Sequence, residues 1–143
     1  MTNKKMEGIT LNIPKEKAEE FFHDALCNGS QIRSYGIGLD YKKVDYQKAV
    51  ADLKKIKGKR PFDNEGQICC EEVWMQILRN GGKLTLKDEE NSYGNRSITM
   101  KHVHDRMKLV PFRHMNDMIN ESGDGDTADV ILQTIFYKEV IFG

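Results

Sequence analysis

His102-Val103-His104 places two imidazoles one residue apart. On a strand they would share a face and could ligate a metal, whereas on a helix they diverge by about 200°. Their surroundings, Thr99-Met-Lys-His-Val-His-Asp-Arg-Met107, read as the capped start of a helix, which favours divergence. A third ligand would have to come from His23, His114 or a carboxylate, and no spacing announces one. Capping or surface histidines are therefore expected, with a metal-dependent hydrolase on His102 and His104 as the alternative. Asp124-Gly-Asp126 with Asp129 has the composition of a calcium loop but lacks its regular ligand spacing and terminal glutamate. A turn followed by a helix cap accounts for these acids, which complement the positive end of a helix dipole. Cys69-Cys70 puts thiols near a predicted helix start, but Glu71 and Glu72 oppose a thiolate there. Buried, structural cysteines are the expectation. Tyr35-Gly-Ile-Gly38 lacks the third glycine and the following helix of a dinucleotide site. No metal, cofactor or catalytic residue is implied.

Lys54, Lys55, Lys57, Lys59 and Arg60 form the dense basic run of the chain. Arg60 could grip a phosphate through two parallel hydrogen bonds, with Lys57 and Lys59 as less directional charges. Arg33 would add charge, and Tyr35 or Tyr41 a face on which a base can stack. These six residues are the candidate ligand site. The competing reading is a solvated helix end, where lysines face the negative end of the dipole.

The elements that must position these groups follow from apolar spacing. Ile9-Thr-Leu-Asn-Ile13 alternates as a short strand, and Pro14 then opens a helix. That helix carries Ala18, Phe21, Phe22, Ala25 and Leu26 on one side and stops at Asn28-Gly29. Gln31 to Tyr41 reads as a bent strand, and Asp45 as the cap of a helix running to Ile56. A third helix turns Ile68, Val73, Trp74, Ile77 and Leu78 inward and ends at Asn80-Gly81-Gly82. Lys83–Asp88 and Arg96–Met100 alternate as a β-hairpin around a polar turn. Helices follow around Val103 and Met107, from Pro111, and from a cap at Asp126 or Thr127. This last helix is apolar on more than one side, through Ala128, Ile131, Leu132, Ile135 and Phe136, which implies burial. The apolar ending Val140-Ile-Phe142 is expected to dock in the core or in a partner. The order of elements predicts an α+β fold, five or six helices around a small, mainly antiparallel sheet of three to four strands. Residues 1–143 are expected to form a single domain.

Composition narrows the function classes. Apolar runs are too short to span a bilayer, and Met1 to Lys5 leads into no apolar stretch, so no membrane or secretory signal is expected. Three cysteines without a Cys-x-x-Cys pairing suit a reducing cytoplasm. A formal net charge of +0 and a pI near 6.9 weigh against extended nucleic acid as a partner, which stays the weakest alternative. The neutrality is polarised, because residues 1–60 carry 13 Lys/Arg against 8 Asp/Glu and residues 61–143 carry 9 against 14.

Trp74-Met-Gln-Ile-Leu-Arg-Asn-Gly-Gly-Lys-Leu-Thr-Leu86 and Ser97-Ile-Thr-Met-Lys-His-Val-His104 carry a family likeness. So do Thr127-Ala-Asp-Val-Ile-Leu-Gln-Thr-Ile-Phe136 and Glu139-Val-Ile-Phe-Gly143. Together the last half of the chain resembles small uncharacterised proteins of phages and mobile elements of Bacteroides-type bacteria. The resemblance implies a phage accessory or counter-defence setting, in the host cytoplasm, and assigns no functional residue. The expected function is a non-enzymatic binding protein, able to self-associate, whose ligand is a host protein or a small phosphate-bearing nucleotide.

Overall fold

The computed structural model describes residues 12–28, 37–55, 69–88, 94–122 and 125–139. In chain order they form α1 (Lys15–Asn28), β1 (Ile37–Asp40), α2 (Lys43–Lys54), α3 (Cys70–Arg79), β2 (Leu84–Asp88) and β3 (Arg96–Ile98). Then come α4 (Met100–Arg106), a 3-10 turn (Met107–Leu109), α5 (Phe112–Ile119) and α6 (Gly125–Tyr137). The fold is α+β, with six helices and a three-stranded antiparallel sheet among the described residues.

Helix α6 sits at the centre. From Thr127 to Tyr137 every residue except Val130 is buried, so the helix needs neighbours on all sides. α1 is the largest of these neighbours, and α4, α5 and β3 also pack against it. The α1 contact follows from its spacing, because Ala18, Phe21, Phe22 and Ala25 recur every three or four residues and are all buried. Phe22 is fully buried, and its ring lies 6.2 Å from that of Phe136 in a tilted arrangement. α3 packs on the other flank of α1 and carries α2.

The sheet runs β1-β2-β3, with Leu39 opposite Leu86 and Leu84 opposite Ile98. Leu84, Leu86 and Ile98 face the core, whereas the hydroxyls of Thr85 and Ser97 meet on the outer face at 2.7 Å. α3 reaches the sheet through a tight exit. Gly82 N donates to Ile77 O at 2.8 Å and Gly81 N to Leu78 O at 3.0 Å, a Schellman ending with Gly81 at φ 89°. A Cβ on Gly82 would stand 2.8 Å from Ile77 Cγ2, so only glycine lets the chain pass there.

Several expectations shift at their edges. α2 starts at Lys43 rather than behind an Asp45 cap, and Asp45 sits in its first turn. Met100 opens α4 instead of ending β3, because Thr99 and His102 build a capping box at that point. Thr127 does not cap α6; it is buried two residues into the helix, where its hydroxyl bonds to His114. Trp74 is only half-buried, and Met75 takes the inward position beside Val73, Ile77 and Leu78. Cys27, Cys69 and Cys70 are exposed rather than buried, since Cys27 lies near the carboxyl end of α1 and the other two at the start of α3. The strand expected at Ile9–Ile13 lies mostly outside the described residues, and Asn12 and Ile13 belong to neither strand nor helix. The tail Val140–Phe142 also lies outside them.

The Phe22–Phe136 contact is where α1 locks onto α6. Phe22→Ala should cost about 3–5 kcal/mol through lost transfer energy and the cavity left behind. Urea unfolding of the two proteins checks this, and Trp74→Ala, at a half-buried position, should cost less. An unchanged midpoint for Phe22→Ala would mean that the contact does not hold the core.

Candidate functional site

Of the ligand site expected from the sequence, Arg33, Tyr35, Lys57, Lys59 and Arg60 lie outside the described residues. Tyr41 is described, half-buried, with its ring stacked on Tyr46 at 5.0 Å. One face of that ring is thus already taken.

His102 and His104 diverge on α4. Thr99 N donates to His102 Nδ1 at 3.0 Å, so His102 serves as a cap acceptor. Burial, then the nearby Arg106, holds the His102 imidazole below its ordinary value, which suits a neutral acceptor. His104 turns towards α1, and its Nε2 stands 2.9 Å from Glu19 Oε2. The other oxygen of Glu19 lies 3.5 Å from Arg79 Nε, so this carboxylate ties α1 to both α3 and α4. His23 meets Glu72 of α3 at 3.2 Å and approaches the Cys27 sulfur at 4.0 Å. Partial burial and then Glu71, with Asp24, Glu72 and Cys69 adding, push the Cys27 thiol up to about 11. That thiol is protonated at neutral pH and is a poor nucleophile. Among the described residues, no three His, Cys, Asp or Glu side chains are grouped so as to hold a metal ion.

Inside α6, Gln133 Nε2 donates to Asp129 Oδ2 at 2.9 Å. Among the described residues nothing stands within hydrogen-bond reach of Asp129 Oδ1. Burial raises the Asp129 carboxyl, the Gln133 bond opposes this, and Asp126 adds to it. These polar groups belong to the core and present no reactive arrangement.

The open feature of the described surface lies elsewhere, between the first half of α1 and the face of α5. At about 100° per residue, Phe112, Met115, Met118 and Ile119 span an arc of about 120° on α5. Met115 is buried against the core, but Phe112 is 63 % and Ile119 62 % exposed. α5 is fixed in this attitude by His114, beside the arc, whose Nδ1 meets Thr127 Oγ1 at 3.0 Å. The apolar arc is therefore only half covered. Ile13, Pro14 and Phe21 form the facing wall, and a groove of about 290 Å³ opens between them and Met115, Met118 and Ile119.

A second depression, of about 180 Å³, adjoins the first along Glu20, Met118 and Glu121. Asp24, Ala25 and Asn28 of α1 and Ala128 of α6 complete it. Glu20, Asp24 and Glu121 thus stand together at one end of an apolar groove. Burial, reinforced by Glu20 and Glu121 and opposed by His23, raises the Asp24 carboxyl. Lys17 lines the apolar end and lies 3.4 Å from Glu20.

Sequence reasoning gave a helix from Pro111 without assigning its faces and left Glu20, Asp24 and Glu121 unremarked. The available signal was the number of large apolar residues on one short helix, more than its buried side needs. No family model, curated protein or solved structure matches the chain. The site therefore rests on its own geometry.

Glu121 takes φ 56° just past α5, where glycine is usual, and closes a Schellman turn with Ser122 N donating to Asp117 O at 2.7 Å. Glu121→Gly should raise stability by roughly 1 kcal/mol, since it removes the left-handed penalty of an L side chain. Thermal unfolding tests this; a lower melting temperature would show that the Glu121 side chain supports the fold.

Proposed function

We propose that the protein works without catalysis, as a binding protein that takes a segment of a partner protein into the groove between α1 and α5. The observation that carries this reading is the half-covered apolar arc of α5, with Phe112 exposed on it and Ile119 exposed at the edge of a groove of about 290 Å³. Exposed apolar surface beside a concave site is a mark of interaction surfaces. The size of the groove favours one or two anchoring side chains, because small-molecule sites run from about 300 to 1,000 Å³. Met115 at its base and Met118 at its wall suit this use, since the unbranched, polarisable side chain adapts to differently shaped apolar partners.

The likeness of the last half of the chain to phage and mobile-element proteins supports a phage-borne setting, with a host protein as the partner. Three exposed free thiols suit action in the host cytoplasm, where cysteines stay reduced. Among the described residues, no helix is long and apolar enough to cross a membrane.

A displayed peptide library selected on the immobilised protein tests the reading. Peptides with a Leu, Phe or Met anchor should be enriched, and Ile119→Asp, at an exposed position, should weaken them at least about tenfold without lowering the melting temperature. Peptides that bind the variant as tightly as the parent, or a selection that enriches none, would contradict it.

A further inference from the structure

From the two adjoining depressions, we infer that the docked segment is a cationic amphipathic one, with an apolar side chain in the groove and a Lys or Arg beside it in the Glu20–Asp24–Glu121 depression. The inference rests on the docking reading and adds the charge of the partner.

Shape and charge argue for it together. The apolar groove continues past Met118 into a depression whose ionisable side chains are all carboxylates. Glu20 and Asp24 lie four residues apart on one face of α1 and approach Glu121 from the end of α5. His23, the neighbour of Asp24, is turned to Glu72 at 3.2 Å. Among the described residues lining the two depressions, Lys17 is the one Lys or Arg, and at 3.4 Å from Glu20 it is a loose, exposed pair that solvent screens. Ala128 of α6 adds no charge, and Asp126 in the first turn of α6 adds another negative one. Three carboxylates against one loosely held lysine leave the depression negative. Burial is what chiefly raises the Asp24 carboxyl, with His23 opposing and the repulsion of Glu20 and Glu121 adding to it. An incoming ammonium or guanidinium would relieve that repulsion, whereas a partner carboxylate at this place would add to it. The apolar anchor and the cation must be close in the segment, because the depressions share Glu20, Met118 and Glu121 as a common wall.

The test uses the full chain and synthetic amphipathic peptides of equal length that share one Leu/Phe stripe and carry Lys, Gln or Glu beside it. Fluorescence anisotropy gives their affinities at low and high salt. The Lys peptide should bind at least about tenfold tighter than the Glu peptide at low salt, with Gln between them. The preference should shrink as salt rises, because charges across a solvated rim are screened over about 8–10 Å. It should disappear in the triple variant Glu20→Gln, Asp24→Asn, Glu121→Gln, which should bind the Lys, Gln and Glu peptides alike. Equal binding of the Lys and Glu peptides to the parent, still abolished by Ile119→Asp, would overturn the cationic inference and leave the docking reading standing. Loss of neither peptide on Ile119→Asp would sink both. Concentration-dependent dimers in sedimentation, dissolved by Ile119→Asp and not by the Lys peptide, would overturn the inference by making a second copy of this chain the occupant.

Discussion

A helix buried on every side dictates the rest of this molecule. α6 exposes only Val130 to any extent between Thr127 and Tyr137, so each of its faces has to be met by another element. The main partner is α1, through Phe22 against Phe136. β3 supplies another cover, where Arg96 stands 5.8 Å over the Tyr137 ring and holds the sheet to the end of the helix. Arg106 of α4 donates to the backbone oxygen of Ile135 at 2.7 Å, satisfying a carbonyl close to the end of α6. Glu19 then secures the arrangement from outside, since a single carboxylate contacts His104 of α4 and Arg79 of α3.

The groove is a by-product of this encasement that the surface chemistry makes useful. α5 must cover the first turns of α6, and it does so with Met115 and with His114, whose ring bonds to Thr127. Having committed those two residues inward, an eight-residue helix has its remaining large apolar side chains at the edge of contact. Phe112 and Ile119 are left outside, and Met118 halfway. The turn after α5 then places Glu121 in the left-handed conformation and brings its carboxylate alongside Glu20 and Asp24. Backbone strain and like-charge crowding are both unfavourable for a structure that has only to fold. Their presence at one end of an exposed apolar groove is what a site shaped for a cationic partner would have.

The fold was largely legible because its signals are local. Ala18, Phe21, Phe22 and Ala25 announce the buried side of α1 by spacing alone, and Asn80-Gly81-Gly82 announces the Schellman exit of α3. Leu84, Leu86 and Ile98 alternate as a half-buried hairpin must. Boundaries failed where one side chain had a distant use that spacing does not reveal. Thr127 has the chemistry of a cap but spends its hydroxyl on His114, thirteen positions away. Trp74 and Met75 are neighbours on α3, and which of them turns inward depends on where α1 and α2 lie against it. The cysteines were expected inside because thiols behave as small apolar groups, yet all three fall at helix ends and are exposed. The groove was illegible for a related reason. Periodicity says that Met115, Met118 and Ile119 share a face, but only the placement of α1 decides how much of that face is covered. Glu20 and Asp24 come from α1 and Glu121 from the end of α5, so no local motif joins them.

Docking of a partner between α1 and α5, as proposed, would be reported directly by the methionines that line the groove. With all 7 methionines labelled at the methyl carbon, the spectrum carries one probe at the base of the groove, one at its wall and others in the fully buried core. A Leu/Phe peptide carrying lysines is then titrated into the protein. The account predicts that the methyl signals of Met115 and Met118 move together as the peptide saturates, while those of Met75 and Met107, buried away from the groove, stay in place. Binding that leaves Met115 and Met118 unmoved would contradict the account.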